Sequence, residues 1–427
     1  MNQEEIPRSN QSRRSQTVRY LLIAICLLTG IFLRLPSSIF VGGPALVTAL
    51  HPQPGFTGLG FDEGLYRNYT QTLIKVGVGE YPAIVDRYIE LQKQLTGSVL
   101  PPVRFLYIFA AYLWHGIFGT EALAALHNVA SFFSILLLTL ATLFAYRMKG
   151  PTFALGLCAL MSFAPTQIHM SQHALVDGFF AFWALLTLWL FWENLRPARG
   201  WPWLAAYLAS LALLVLTKEN SFFVWFALVA LMVANRWLAF GSVKRELVLA
   251  TLVGPFIGFV ILIFLAGGIP TLLETYRLSV GKNYHLQYAI LTGDGPWYRY
   301  LVDLLLASPL VLLLALGAAF RVKRGQREEL FFIVFVAASY LVMCNLKYGM
   351  NLRYANMWDM PLRFLALSQL LALSSLLGRY RRAAISLAVA GISFLELRQY
   401  YLLFVQFPLY ELVTEGLLRA LHILKTR

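Results

Sequence analysis

Residues 104–118 read RFLYIFAAYLWHGIF, and whether this stretch crosses the bilayer decides which way every later helix faces. It is strongly apolar, yet it is shorter than the ~20 residues a crossing needs. It also carries Arg104 at its start and His115 within it. Eleven further segments are long and apolar enough to span, or nearly so: 20–36, 128–146, 152–170, 178–195, 202–217, 221–235, 247–266, 301–320, 329–346, 358–377 and 383–404. The basic tail with Arg8, Arg13, Arg14 and Arg19 belongs in the cytoplasm. If 104–118 does not span, the loops with Arg147/Lys149, Arg196/Arg199, Arg236/Lys244/Arg245, Arg321/Lys323/Arg324/Arg327 and Arg379/Arg381/Arg382 are all cytoplasmic. If it does span, all five face outward, against the positive-inside rule. The stretch is therefore predicted to lie in the outer interface.

The rest of the chain fits that frame. Of 427 residues 59% are apolar and 13% charged, about half the charge of a soluble domain. The expected fold class is an all-α polytopic membrane protein with about 11 transmembrane helices and a long first exoplasmic loop containing interfacial helices. Its organisation reads as a cytoplasmic basic tail (1–19), a first helix (20–36), an exoplasmic loop (37–127), a helix bundle (128–404) with an outer loop at 267–300, and an exoplasmic amphipathic tail (405–427). The run from Tyr20 to Leu33 lacks a small-residue cleavage site and reads as a retained helix. Cys26, Cys158 and Cys344 lie in apolar runs with no metal spacing. The net charge is +14, and about half of the basic residues sit in short loops between apolar segments, a topology signal rather than a sign of nucleic acid.

With this topology, the ionisable residues at helix ends collect on the outer side. They are Asp62 and Glu63 in Gly60-Phe61-Asp62-Glu63-Gly64-Leu65-Tyr66, then His169, His173 and Asp177, then Lys218, Glu219 and Asn220, then Lys347, Arg353 and Tyr354. Each alone has a plain explanation, such as a helix cap or a lysine snorkelling to headgroups. Together they suggest a site, because ionisable groups at membrane depth are costly and usually kept for one. A carboxylate can deprotonate an acceptor hydroxyl, and neighbouring cations can stabilise a departing lipid phosphate. There is no P-loop or Rossmann glycine pattern, so a soluble nucleotide donor is not indicated. No HExxH or Cys-x-x-Cys pattern marks a zinc site. The loop at 267–300 adds Tyr276, Arg277, Lys282, Tyr284, His285 and Tyr288. This alternation of aromatics and bases suits a sugar phosphate, with an interfacial aromatic belt as the plain alternative. Glycines at 267–268 and the Gly293-Asp294-Gly295-Pro296 turn offer hinges for a lid.

Five stretches, in order, resemble the protein O-mannosyltransferase and lipid A aminoarabinose transferase group of C-type membrane glycosyltransferases. They are Asp62-Glu63 with Tyr66, Leu100-Pro101-Pro102-Val103 followed by a short apolar helix, His173 to Asp177, Leu216-Thr217-Lys218, and Leu352-Arg353-Tyr354. The sequence departs from that group at Leu100, where His is usual, and at Ala125-Leu126-His127-Asn128, where Arg is frequent. The resemblance implies a polyprenyl-phosphate sugar as co-substrate, and an acceptor hydroxyl on protein, lipid or glycan. It places the site on the exoplasmic face of a bacterial inner membrane. It implies catalytic roles for Asp62, Glu63 and Asp177, with Asp62 as base. Donor phosphate falls to Lys218 and Arg353, with Arg277 and Lys282 from the outer loop. Tyr66, His173, Asn220, Tyr284 and Tyr354 are expected to bind substrate. No resident cofactor or metal is expected, and a divalent ion stays open. The competing readings are a transporter or flippase of a lipid-linked saccharide and a non-catalytic relative. Transporters commonly show internal repeats and mid-membrane charges, and neither is visible here.

Overall fold

The computed structural model describes residues 8–52, 59–197, 200–347 and 349–424. The first seven residues of the basic tail and Arg199 lie outside them. Among the described residues there is no strand. Helix α1 (Arg8–Arg34) leads through the single turn α2 (Ala45–Thr48) to α3 (Phe61–Val76), α4 (Tyr81–Gln94) and α5 (Phe105–Phe118). The bundle follows with α6 (Ala122–Lys149), α7 (Pro151–Ser162), α8 (Pro165–Gln172), α9 (Val176–Asn194), α10 (Trp201–Val215), α11 (Ser221–Leu238) and α12 (Arg245–Ala266). Two helices, α13 (Ile269–Asn283) and α14 (Gln287–Thr292), occupy the segment 267–300. The chain ends with α15 (Arg299–Ala307), α16 (Pro309–Arg321), α17 (Arg327–Met343), α18 (Asp359–Ser375), α19 (Arg381–Tyr400) and α20 (Thr414–Ala420).

Among the described residues six helical spans are long and apolar enough to cross a membrane, or seven if α7 and α8, bent by 55°, form one. The other four segments read as spans contain the shorter helices α10, α16, α17 and α18, of 15, 13, 17 and 17 residues. The expected stretch 301–320 is divided because Pro309 has no N–H to continue α15 and instead begins α16. Pro165 does the same between α7 and α8.

The stretch at 104–118 forms α5, whose 14 residues reach about 21 Å at 1.5 Å per residue, short of a ~30 Å hydrocarbon core. It packs with α3 and α4 in a core of its own that includes Tyr66, Leu73, Val85, Tyr107 and Ile108. In α3 the buried positions are Glu63, Tyr66, Thr70 and Leu73, one face at helical spacing. Tyrosines from α3 and α4 fix the segment that leads into α5. Tyr69 donates to the Leu100 carbonyl at 2.7 Å and Tyr88 to that of Val99 at 3.1 Å. Pro101 and Pro102 bring no N–H, so carbonyl capture by hydroxyls replaces a regular ladder here.

Two polar ends bracket the bundle. At one, Lys149 bridges Glu328 and Glu329 at 3.4 and 3.1 Å, Arg147 meets Glu193 at 3.2 Å, and Lys244 donates to the Pro197 carbonyl at 3.4 Å. Four of the five basic loops predicted to be cytoplasmic thus gather together. The other end carries His127 near the start of α6, 22 residues from Lys149, or about 33 Å along one helix.

Candidate active site

At this second end lies a cavity of about 800 Å³. Asp62 lines it from the first turn of α3, where an acid also complements the helix dipole. Arg353 donates from Nη2 to Asp62 Oδ2 at 2.6 Å. Its Nη1 lies 3.4 Å from Glu411, and its Nε 3.8 Å from Asp177. The guanidinium is only 6% exposed, and Nε and Nη1 have no hydrogen-bond partner among the described residues. Burial opposes its charge, but Asp62 and Glu411 outweigh that and hold it firmly protonated.

Local structure places Arg353. Asn351 accepts from the Arg353 backbone N–H at 3.1 Å and caps the 3₁₀ segment Leu352–Trp358. Leu352 N–H donates to the Leu412 carbonyl at 3.0 Å, and Asn351 donates to Glu411 at 2.6 Å. The C-terminal segment is thereby drawn into the site with its carboxylate. Burial pushes Glu411 up, with Arg353 opposing and Asp62 adding to the rise.

Lys218 stands on the turn between α10 and α11 and donates to Asp177 Oδ1. Its ammonium also sits 3.9 Å from the Tyr354 ring centroid, a cation–π contact. Burial pushes Lys218 down to about 8, with Asp177 acting against it. A second pair flanks the cavity: Arg104 binds Glu219 at 3.1 Å and donates to the Tyr66 hydroxyl at 2.8 Å.

Of the residues predicted to form the site, Asp62, Lys218, Asn220, Tyr284, Arg353 and Tyr354 line the cavity. Asp177 lies beneath, gripping Lys218 and Arg353, and is 4% exposed. Glu63 faces the other way. It accepts from Ala174 N–H at 2.7 Å and Gly60 N–H at 2.9 Å, and meets His173 at 3.3 Å and His127 at 3.8 Å. Burial pushes Glu63 up, but the bonds to His173 and Ala174 and the charge of His127 win and hold it at about 2. It is a clamp between the start of α3 and the α8–α9 turn. His173 belongs to that packing, and Tyr66 is buried behind Arg104 against Tyr107, so neither forms the cavity wall.

Arg277 and Lys282 are not brought to the site. Arg277 is 74% exposed and bound to Glu274 at 2.7 Å, while Lys282 donates to the carbonyls of Gln92 and Leu95 at the end of α4. The reason is helical phase. Tyr276, Ser279, Val280 and Asn283 of α13 line the cavity at i, i+3, i+4 and i+7, and residues 277 and 282 fall off that face. The segment 267–300 does cover the site, as two helices rather than an irregular loop. Sequence reading missed the site roles of Arg104, Asn351, Tyr410 and Glu411. Arg104 was visible as a charge beside Pro101-Pro102, and Glu411 only as one acid in an amphipathic tail. Among the described residues, no group of three or more His, Cys, Asp and Glu is placed to hold a metal ion.

Residues 108–284 match the family model described as dolichyl-phosphate-mannose-protein mannosyltransferase. A comparison with curated proteins found no match. Among solved structures the chain is similar to ArnT from Cupriavidus metallidurans in the apo state, with 14% identity over 95% of this chain and 76% of that one, at a TM-score of 0.53. ArnT bound to undecaprenyl phosphate gives 14% identity over 94% and 75%, at 0.54. The Archaeoglobus fulgidus oligosaccharyltransferase tethered with an acceptor peptide containing the NVT sequon gives 15% over 90% of this chain and 55% of that one, at 0.59. The resemblance to C-type membrane glycosyltransferases is borne out, by the family model over 108–284 and by the fold over most of the chain.

Proposed function

We propose that this multi-pass integral membrane protein transfers a sugar from a polyprenyl-phosphate donor to an acceptor hydroxyl on the exoplasmic face of a bacterial inner membrane. The observation that carries the reading is Asp62, lining a cavity at the polar end of an apolar bundle and held there by Arg353 at 2.6 Å. Among the described residues only Oδ2 of Asp62 is hydrogen-bonded, which leaves Oδ1 for an acceptor O–H. In the step, the acceptor oxygen forms a bond to the anomeric carbon and its proton passes to Asp62. The bond from that carbon to the phosphate oxygen breaks, and its electron pair leaves with the polyprenyl phosphate. Attack opposite the leaving group inverts the anomeric centre.

The cations have matching parts. Arg353 orients Asp62 from the cavity wall. Lys218 and Asp177 fix the floor beneath Tyr354. Tyr284 and Asn220 offer a ring face and an amide to the sugar. The solved relative with undecaprenyl phosphate and the one with an acceptor peptide support a lipid-linked donor and a separate acceptor. The test is transfer of radiolabelled sugar from undecaprenyl-phosphate-linked sugars to extracted acceptors, with Asp62→Asn beside wild type. A folded Asp62→Asn protein should lose ~100- to 10,000-fold in rate. Near-full transfer by that variant rejects Asp62 as the base.

A further inference from the structure

The cavity is lined by four cations, Arg104, Lys218, Lys347 and Arg353. Three are already in ion pairs: Arg104 with Glu219 at 3.1 Å, Lys218 with Asp177, and Arg353 with Asp62 and Glu411 at 2.6 and 3.4 Å. Lys347, exposed on the turn after α17, has no ion pair or hydrogen bond among the described residues. The three paired cations meet the four carboxylates Asp62, Asp177, Glu219 and Glu411, so their charge is fully offset before any substrate arrives, and Lys347 brings the group to neutrality.

That balance sets a problem for the reaction proposed above, on which this inference rests. The donor is a phosphodiester with one negative charge. When the bond to the sugar breaks, the electron pair stays on the phosphate oxygen and the leaving group becomes a monoester approaching two negative charges. The additional charge appears in the transition state, and a group that meets it only there raises kcat rather than ground-state binding. Cations already neutralised by carboxylates are poorly placed to do this, because drawing them off would leave those carboxylates, the buried Asp177 among them, unpaired.

The lining also places the phosphate. Phe223 of α11, Met343 at the end of α17 and Leu346 just after it are apolar parts of the lining suited to isoprenoid. Lys347 directly follows Leu346 in the chain, and both line the cavity. An amphipathic polyprenyl phosphate likewise joins apolar chain directly to anion. We propose that Lys347 is the cation that takes up the charge developing on the departing polyprenyl phosphate. The plain alternative is a lysine that snorkels to phospholipid headgroups.

Purified protein in nanodiscs separates them, with Lys347→Met and Lys347→Arg beside wild type. The readouts are transfer from undecaprenyl-phosphate-linked sugar and binding of tritiated undecaprenyl phosphate. Lys347→Met should lower kcat by about 10- to 100-fold, the size of one charge-assisted contact. It should also weaken the free undecaprenyl phosphate product more than the donor, while Lys347→Arg restores most of both. Inorganic phosphate and phosphatidylglycerol are the competitor arms. Displacement of the labelled lipid by phosphatidylglycerol at equal mole fraction would mean a general headgroup contact and overturns the proposal. Displacement by millimolar inorganic phosphate, lost in Lys347→Met, supports a phosphate site. If Lys347→Met transfers like wild type while Asp62→Asn does not, the enzyme reading stands and the role of Lys347 falls. If wild type transfers nothing from any donor tried, the enzyme reading falls. The binding arm then still decides: equal affinity of wild type and Lys347→Met for undecaprenyl phosphate removes Lys347 from the site.

Discussion

Glu63→Gln tests the clamp between the start of α3 and the α8–α9 turn. Glu63 is 4% exposed and accepts from two backbone N–H groups while facing His173 and His127. Its carboxyl lies at about 2 instead of 4.5. That difference is worth about 3 kcal/mol of folding free energy at neutral pH. The folded value is depressed, so the contribution is full above the unfolded value and is lost as pH falls toward the folded one; about half is gone by pH 3. The glutamine keeps an acceptor oxygen but not the charge. With an unfolding entropy of roughly 0.9 kcal/mol/K for a chain of this length, Tm should drop by about 3 °C at pH 7. The assay is thermal melting of detergent-solubilised wild type and Glu63→Gln from pH 7 to pH 3. The two curves should converge as pH falls. Equal melting at pH 7, or a deficit that stays constant down to pH 3, refutes the clamp.

Three other outcomes follow from the same geometry. Lys218, pushed down to about 8, should lose its proton as pH rises through that value, leaving Asp177 unpaired. Transfer should therefore fall on an alkaline limb near pH 8 that Lys218→Arg shifts upward; stability should instead rise from about 8 to the ordinary lysine value, because the fold favours the neutral amine. A limb that Lys218→Arg leaves in place belongs to another group. Single cysteines at Gly97 and Gln326, in a background lacking Cys26, Cys158 and Cys344, should be labelled from opposite sides of the membrane; labelling from one side would end the topology. Hydrogen exchange in α13 and α14 should slow when undecaprenyl-phosphate-linked sugar is added, since their inner face lines the cavity. Unchanged exchange leaves them as a fixed wall.

Much of this was written in local sequence. Loop charge and the length of 104–118 gave an orientation in which the residues named at helix ends do meet at one end of the bundle. The pairs Asp62-Glu63 and Arg353-Tyr354 were readable as positions, because acids and bases beside apolar helices stand out. Their division of labour was not. Whether Asp62 or Glu63 faces the cavity depends on the rotation of α3, which its packing on α5 and α6 sets, and one step along a helix turns a side chain by about 100°. The same phase hid which faces of α13 point inward, and so misplaced Arg277 and Lys282. Glu411 was beyond local reading altogether. It enters through a backbone bond between Leu352 and Leu412, 60 residues apart, and nothing in the tail's composition announces it.

The way the site is held explains why its charges can be so deeply buried. Arg353 meets carboxylates from the start of α3, the start of α9 and the C-terminal segment, while its own backbone is capped by Asn351. Four distant stretches of chain must all be in place before that guanidinium is compensated. Removing any one partner strands a buried charge, at a cost of ~3–5 kcal/mol in comparable pairs. The arrangement is therefore rigid by electrostatics as well as by packing, which suits a base that must keep one oxygen aimed at an acceptor. It also leaves little room for adjustment when the leaving group gains charge. The ion-paired set is committed to shape, and in the proposal above the unpaired lysine of the cavity wall is the group free to respond. Shape and response then reside in different residues, and variants at Arg353 and Lys347 should differ in kind: the first losing melting temperature together with activity, the second losing turnover while melting as wild type does.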